Sequence, residues 1–201
     1  LFNLSYTQVG LITSGGFLIT LITQIIIGRI SDRKNRSSLL SLGILILSGS
    51  LLLLSRSFNF FSLFLIIIIL RFSTGFYHPT GIGWISKIFK KERLDWAMGM
   101  QSAAGDFGAF IAILSTLYII ENTSWYFPLY LWSIAGIICL FTGIYLTSEL
   151  DLGYINNNKK QKKSFKLTLL EEKDQLKKIK MFLPGFIING SAWGIVVTYL
   201  P

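Results

Sequence analysis

The stretch Gly28-Arg29-Ile30-Ser31-Asp32-Arg33-Lys34-Asn35-Arg36 lies between two apolar runs, residues 7–27 and 38–55, that contain no charged side chain. A helix that crosses the hydrocarbon core of a bilayer needs roughly 20 mostly apolar residues, within a range of about 17 to 25. Both runs fall in that range, whereas five of the ten residues between them are charged. This pattern predicts two membrane-spanning helices joined by a short charged connection.

The same alternation of apolar runs and charged connections continues along the chain. Hydrophobic residues make up 52% of it and charged residues only 14%, too few to cover a soluble domain with polar surface. Because lipid offers no hydrogen bonds to the backbone, long runs rich in Leu and Ile must form helices. We therefore expect an all-α membrane protein, an incomplete helical bundle of about six transmembrane helices. The candidate spans are residues 7–27, 38–55, 59–88, 96–119, 125–147 and 181–200.

Basic residues are concentrated in alternate connections. Four lie between the first and second spans, four between the third and fourth, and nine lysines before the sixth, whereas the intervening connections hold only Arg56. Cytoplasmic loops carry the excess of Lys and Arg, so the basic connections are expected in the cytoplasm. The same rule explains the net charge of +9, and no nucleic-acid partner is expected.

Residues 148–180 depart from the short connections elsewhere. They contain a polar, low-complexity tract at 156–163, which is typical of a flexible linker. We expect an N-terminal transmembrane bundle at 1–147, a cytoplasmic linker with a surface helix at 148–180, and the first helix of a second bundle at 181–201. The linker lysines could also contact anionic headgroups of membrane lipids.

The charged stretch from Gly28 to Arg36 follows the pattern G-x-x-x-D-R-x-N-R. It resembles the signature of the major facilitator superfamily between helices 2 and 3, G-x-x-x-D-R-x-G-R-[RK]. The resemblance implies a cytoplasmic gate in which Gly28 allows close helix approach, Asp32 bonds a facing helix N-terminus, and Arg33 and Arg36 complete a charge network. A second interpretation is that these charges serve only topology.

Two positions depart from that signature. Asn35 replaces the usual Gly, which is a mild change because Asn is the next residue after Gly to accept a left-handed conformation. Ser37 replaces a base, which removes one charge from the gate.

Arg71 lies within the third candidate span, about eleven residues from its outer end, or roughly 16 Å at helical rise. A charge near mid-bilayer costs at least about 2.5 to 3.5 kcal/mol and should face a partner or a wet cavity. Arg71 and Gly75 are similar to the R-x-x-x-G pattern of the family's helix 4, which implies a role in substrate or proton coupling. His78 shares the Arg71 face, where it could relay protons, bind substrate or only make a structural hydrogen bond. Pro79 removes a backbone hydrogen bond to Gly75 and predicts a kink.

The fourth candidate span combines small residues with an acid. Gly99, Gly105 and Gly108 predict close helix packing, and this segment is similar to the glycine-rich helix 5 of family antiporters, with Gly-Asp in place of Gly-Pro. Asp106 is expected at a depth close to that of Arg71. We therefore hypothesise a buried ion pair between Arg71 and Asp106.

The function expected from these features is secondary active transport of a small solute by alternating access, with protons as a candidate coupling ion and the plasma membrane as the location. The alternative is a non-transporting receptor or scaffold with a transporter-like fold. Thr13, Thr20 and Gln24 recur at helical spacing and either line a pathway or join helices. The chain has no recognisable hydrolase or phosphate-binding motif, and we expect neither an enzyme, nor a cofactor, nor a metal site.

The resemblance also places the chain within the family fold. The six spans correspond to helices 2 to 7, which implies further helices before Leu1 and after Pro201, and a monomer when complete. The segment Phe76-Tyr77-His78-Pro79 and the later Gly-rich helix are similar to the fosmidomycin-resistance branch of the superfamily.

Overall fold

A computed structural model describes the backbone of residues 2–32 and 34–158, and side chains as far as residue 145. Arg33, most of the predicted linker and the predicted sixth span lie outside the described residues. The chain divides into two compact units, Leu1–Asp151 and Leu152–Pro201, and the contacts below belong to the first.

The described part of the chain is helical throughout and contains no strand. Five stretches are long and apolar enough to cross a membrane, one of them formed by α3 and α4 together, so the predicted all-α membrane class is confirmed. The helices are α1 Tyr6–Ser31, α2 Arg36–Leu54, α3 Phe60–Thr74, α4 Tyr77–Ile88, α5 Lys91–Asn122 and α6 Phe127–Asn158.

Two helices extend beyond the predicted spans. Helix α5 begins at Lys91 rather than at 96, with Glu92 in its first turn, where a negative charge is favourable near the helix N-terminus. Helix α6 continues to Asn158, past the predicted linker boundary at 147/148, and residues 148–158 contain no proline that would interrupt it. The division into bundle and linker itself stays a prediction.

Helix α2 begins at a capping residue. Asn35 has φ −64° and ψ 121°, which is extended and not left-handed backbone. Its side chain instead accepts hydrogen bonds from the backbone N–H groups of Ser37 and Ser38. Asn35 is therefore an N-cap, and it places Arg36 at the first position of α2.

The third span is interrupted, as the sequence predicts. Helix α3 ends at Thr74 and α4 starts at Tyr77, with Gly75 and Phe76 in a turn between them. Pro79 lies in the first turn of α4, where a missing N–H is tolerated but the helix cannot run on unbroken from Gly75. The span thus consists of two half-helices, and α4 is the half that ends at the basic connection before α5.

Small side chains form the contacts between these helices. A Cβ built on Gly75 would lie 2.6 Å from Cβ of Thr23, and one on Gly43 would lie 2.7 Å from Cβ of Phe76. The hydroxyl of Ser133 on α6 donates to the Ser48 carbonyl on α2 at 2.8 Å. Most fully buried side chains are Ser and Thr, while Leu, Ile and Phe side chains face outward, as expected where lipid is the solvent.

Candidate functional site

Arg36 lies buried at the basic end of the bundle, where α1, α2 and α4 meet. Its side chain is only 9% exposed. The Nε atom donates to the Ser31 carbonyl at 3.2 Å, and Nη2 donates to Oδ1 of Asp32 at 3.1 Å. The third nitrogen, Nη1, is buried and has no hydrogen-bond partner among the described residues. Burying a guanidinium with one unpaired nitrogen costs free energy. The neighbouring residues must therefore hold the Arg36 side chain in this position.

The Asp32 carboxylate departs from the role that the resemblance implies. It pairs with Arg36 within the same turn, and its side chain is 72% exposed. Within the part of the chain that the structure describes, it bonds no helix N-terminus. Because the carboxylate is open to solvent, the ion pair contributes little stability by itself.

Helix α4 closes the other side of this cluster. Gly83 lies directly against the Arg36 guanidinium, and Gly28 of α1 faces Pro79, whose Cβ would lie 3.8 Å from a Cβ at position 28. The predicted approach of Gly28 to a neighbouring helix is therefore present, but it leaves room for a methyl group. Gly83 makes the tighter contact.

A cavity of about 500 Å³ opens at this end of the bundle. It brings together three predicted gate residues, Gly28, Asp32 and Arg36, and one predicted coupling residue, His78, although the sequence suggested separate roles for the gate and for coupling. The imidazole packs edge-to-face on Tyr77 at 5.6 Å between ring centroids and has no hydrogen-bond partner among the described residues. The lining residues are Gln24, Gly28, Ser31, Asp32, Arg36, His78, Pro79, Ile82 and Gly83.

Arg71 occupies a separate site between α1 and α3. Its guanidinium carbon lies 5.1 Å from the centre of the Phe17 ring, a cation–π distance, and its side chain packs on Gly16, where a Cβ would lie 2.8 Å from Arg71 Cγ. The Thr20 hydroxyl donates to the Arg71 carbonyl at 2.9 Å. Of the three polar positions on α1, Thr20 therefore joins helices, and Gln24 lines the cavity at the basic end.

The hypothesised ion pair between Arg71 and Asp106 is absent from the described residues. Arg71 is half-buried against α1, whereas Asp106 is exposed on α5. Similar depth in the bilayer does not bring two side chains together, since the rotation of each helix about its axis also has to match. Asp106 has no ion-pair partner in the described part of the chain.

The glycines of α5 also differ from the prediction. A Cβ at Gly99, Gly105 or Gly108 would meet nothing within 4 Å, so in the described part of the chain none lies at a close helix contact. Long side chains hold α5 to its neighbours instead. Gln101 Nε2 donates to Tyr77 Oη at 2.8 Å, and Trp132 Nε1 donates to Thr116 Oγ1 at 3.2 Å.

Gly83 and Phe17 are the site residues that sequence reasoning missed. No sequence signal marked Gly83, because the nearby Gly81 is two residues away and lies on the opposite side of a helix. Phe17 offered no signal, because an aromatic residue in an apolar span is ordinary. No group of three or more His, Cys, Asp or Glu side chains that could hold a metal ion occurs in the described residues.

Comparison with known proteins agrees with this architecture. The family model described as Major Facilitator Superfamily matches residues 1–201. A search of curated proteins gives no match, so the similarity to the fosmidomycin-resistance branch stays a prediction. With its apolar helices, its broken third span and a match along the whole sequence, the chain belongs to the major facilitator superfamily and is an integral, multi-pass membrane transporter of that type.

Proposed function

We propose that the protein is a secondary active transporter that moves a small solute across the plasma membrane by alternating access. In this proposal the residues around the Arg36 guanidinium, namely Ser31, Asp32, Arg36 and Gly83, form a cytoplasmic gate. We call this set the Arg36 cluster. Its place in the cytoplasm follows from the excess of Lys and Arg in the connections at this end.

The burial of Arg36 is the observation that carries the proposal. A charge that served only topology would extend into water, as the exposed Lys34 does. Arg36 is instead enclosed between the end of α1 and the half-helix α4, with one nitrogen unpaired. The packing of Gly83 of α4 against the guanidinium exists only while α4 lies against the end of α1, and it is lost when they separate. That is the behaviour required of a gate between two discrete states.

Arg71 supports solute or proton coupling in the same proposal. It is a half-buried cation in a membrane span whose partners in the described residues are an aromatic face and a glycine. A cation in that position retains its capacity to bind an anionic group or to respond to a nearby protonation. The cavity that holds His78 and Gln24 supports a polar route from the basic end, with protons as the candidate coupling ion.

Replacing Arg36 with alanine tests the gate. We expect solute flux in proteoliposomes that contain the complete protein to fall at least about tenfold, the effect of losing about 1.4 kcal/mol from one of two conformational states. The matched control is Lys34→Ala, because Lys34 is a basic residue of the same turn and is exposed; it should keep near-normal flux.

Two outcomes of this experiment contradict the gate. One is undiminished flux in Arg36→Ala, and the other is an equal loss in both variants, which would point to a general effect of positive charge in the loop. If the complete protein carries no solute from a broad panel with or without a pH gradient, the receptor or scaffold alternative takes the place of transport.

A further inference from the structure

Gly83 is the point at which α4 touches the Arg36 guanidinium. A Cβ built on Gly83 would lie 2.6 Å from Nη1, 2.8 Å from Cζ and 3.1 Å from Nη2 of Arg36. Contacts below 3 Å require something to move. The side chain of Arg36 can therefore occupy its observed position only if residue 83 has no side chain.

The guanidinium is held on two sides by hydrogen bonds. Its Nε and Nη2 atoms are held by the Ser31 carbonyl and the Asp32 carboxylate, and the side chain is 9% exposed. A methyl group at position 83 would have to break these hydrogen bonds or push α4 away from the end of α1. Either change opens the contact between the two helices.

Helix α4 is separated from α3 by the turn at Gly75 and Phe76. A shift of α4 away from α1 would bend the span at this turn. The unpaired Nη1 favours such a shift, because its hydrogens gain water once α4 moves away. The close contact at Gly83 thus holds the half-helix in place. The buried, unpaired Nη1 lowers the free-energy cost of releasing it.

We propose that Gly83 is a positioning residue of the Arg36 cluster. Its missing side chain lets the guanidinium clamp the half-helix α4 against the turn between α1 and α2 when the cytoplasmic side is closed. The inference rests on the proposed gate. It identifies α4 as the helix that moves relative to Arg36. The contact between them lies within one bundle of helices.

The test measures access to the cavity in the complete protein. Gln24 lines the cavity, so Gln24→Cys serves as the reporter in a background without other reactive cysteines, which includes Cys139→Ser. A membrane-impermeant maleimide is applied from the side of the basic connections. We expect Gly83→Ala to raise the labelling rate at least about fivefold, the scale on which overpacking by one methyl group shifts an equilibrium.

The neighbouring glycine of α4 provides the matched control. A Cβ on Gly81 would meet only Tyr77 ring carbons at 3.8 and 3.9 Å, which is ordinary contact, so Gly81→Ala should label like the parent. Arg36→Ala should raise labelling as Gly83→Ala does. In the Arg36→Ala background, Gly83→Ala should add nothing, because the group with which the methyl clashes is gone.

The outcomes separate this inference from the gate itself. If Arg36→Ala leaves labelling unchanged, the gate is wrong and the role of Gly83 falls with it. If Arg36→Ala raises labelling but Gly83→Ala does not, or if the two effects add, the gate stands and the role of Gly83 is overturned. Equal effects of Gly81→Ala and Gly83→Ala would likewise overturn it.

Discussion

Replacing Arg71 with alanine is expected to reduce solute flux at least about 100-fold, the scale of losing one positioned charge from a functional site. Membrane insertion should not suffer, because a charge within the span costs at least about 2.5 to 3.5 kcal/mol and the substitution removes that cost. The loss would therefore come from function and not from folding. Flux and the amount of monodisperse protein are measured on the same preparations in the complete transporter.

Two further variants sharpen this experiment. Arg71→Lys keeps the positive charge but loses the planar group that stacks on Phe17, so we expect it to retain part of the flux. Arg56→Ala is the matched control, since Arg56 is exposed and outside the apolar part of the spans. Normal flux in Arg71→Ala would remove this residue from the mechanism.

Among the substitutions proposed here, replacing Gly75 with valine is expected to lower the free energy of unfolding most. A Cβ at this position would lie 2.6 Å from Thr23 Cβ, 2.7 Å from Thr23 Cγ2 and 3.2 Å from the Thr20 carbonyl oxygen. The side chain would force α1 away from the turn between α3 and α4, and overpacking of this kind costs about 1 to 3 kcal/mol or more. Thermal unfolding of the complete protein in detergent measures the change.

The control for this substitution is Gly49→Val. A Cβ on Gly49 would meet nothing within 4 Å, so the same change in composition should leave the unfolding temperature near that of the parent. Thr23→Gly in a Gly75→Ala background should recover part of the stability lost in Gly75→Ala. A Gly75→Val protein as stable as Gly49→Val would mean that the contact between α1 and the turn is not close.

The membrane spans could be predicted because the length of an apolar run can be read from neighbouring residues in the sequence. Residues 7–27 and 38–55 each match a helix to within a few residues, and Pro79 marks the interruption of the third span since its missing N–H acts on its own helix. Asn35 shows the limit of such reasoning. The sequence permits both a left-handed turn and an N-cap at this position, and the choice depends on where α2 begins.

The candidate site was predictable in its residue types but not in its pairings. The resemblance singled out Arg36, yet its burial depends on Gly83, which is distant in sequence and carries no chemical group to recognise. Similar depth in the bilayer suggested an ion pair between Arg71 and Asp106. In the structure, however, the rotation of α3 about its axis turns Arg71 toward Gly16 and Phe17. Contacts between helices depend on rotation about the helix axes, which the periodicity of such uniformly apolar helices does not fix.

Alternating access makes one demand that neither a static pore nor a scaffold meets: opening one side must close the other. Thr13 and Gln24 lie on the same helix, Gln24 toward the basic end, so a cysteine at each can report on one side in the complete protein. Impermeant maleimide is applied from the cytoplasmic side to Gln24→Cys and from the opposite side to Thr13→Cys, with and without Arg36→Ala. We predict that Arg36→Ala speeds labelling at position 24 and slows it at position 13. Labelling that rises at both positions, or changes at neither, would contradict the account.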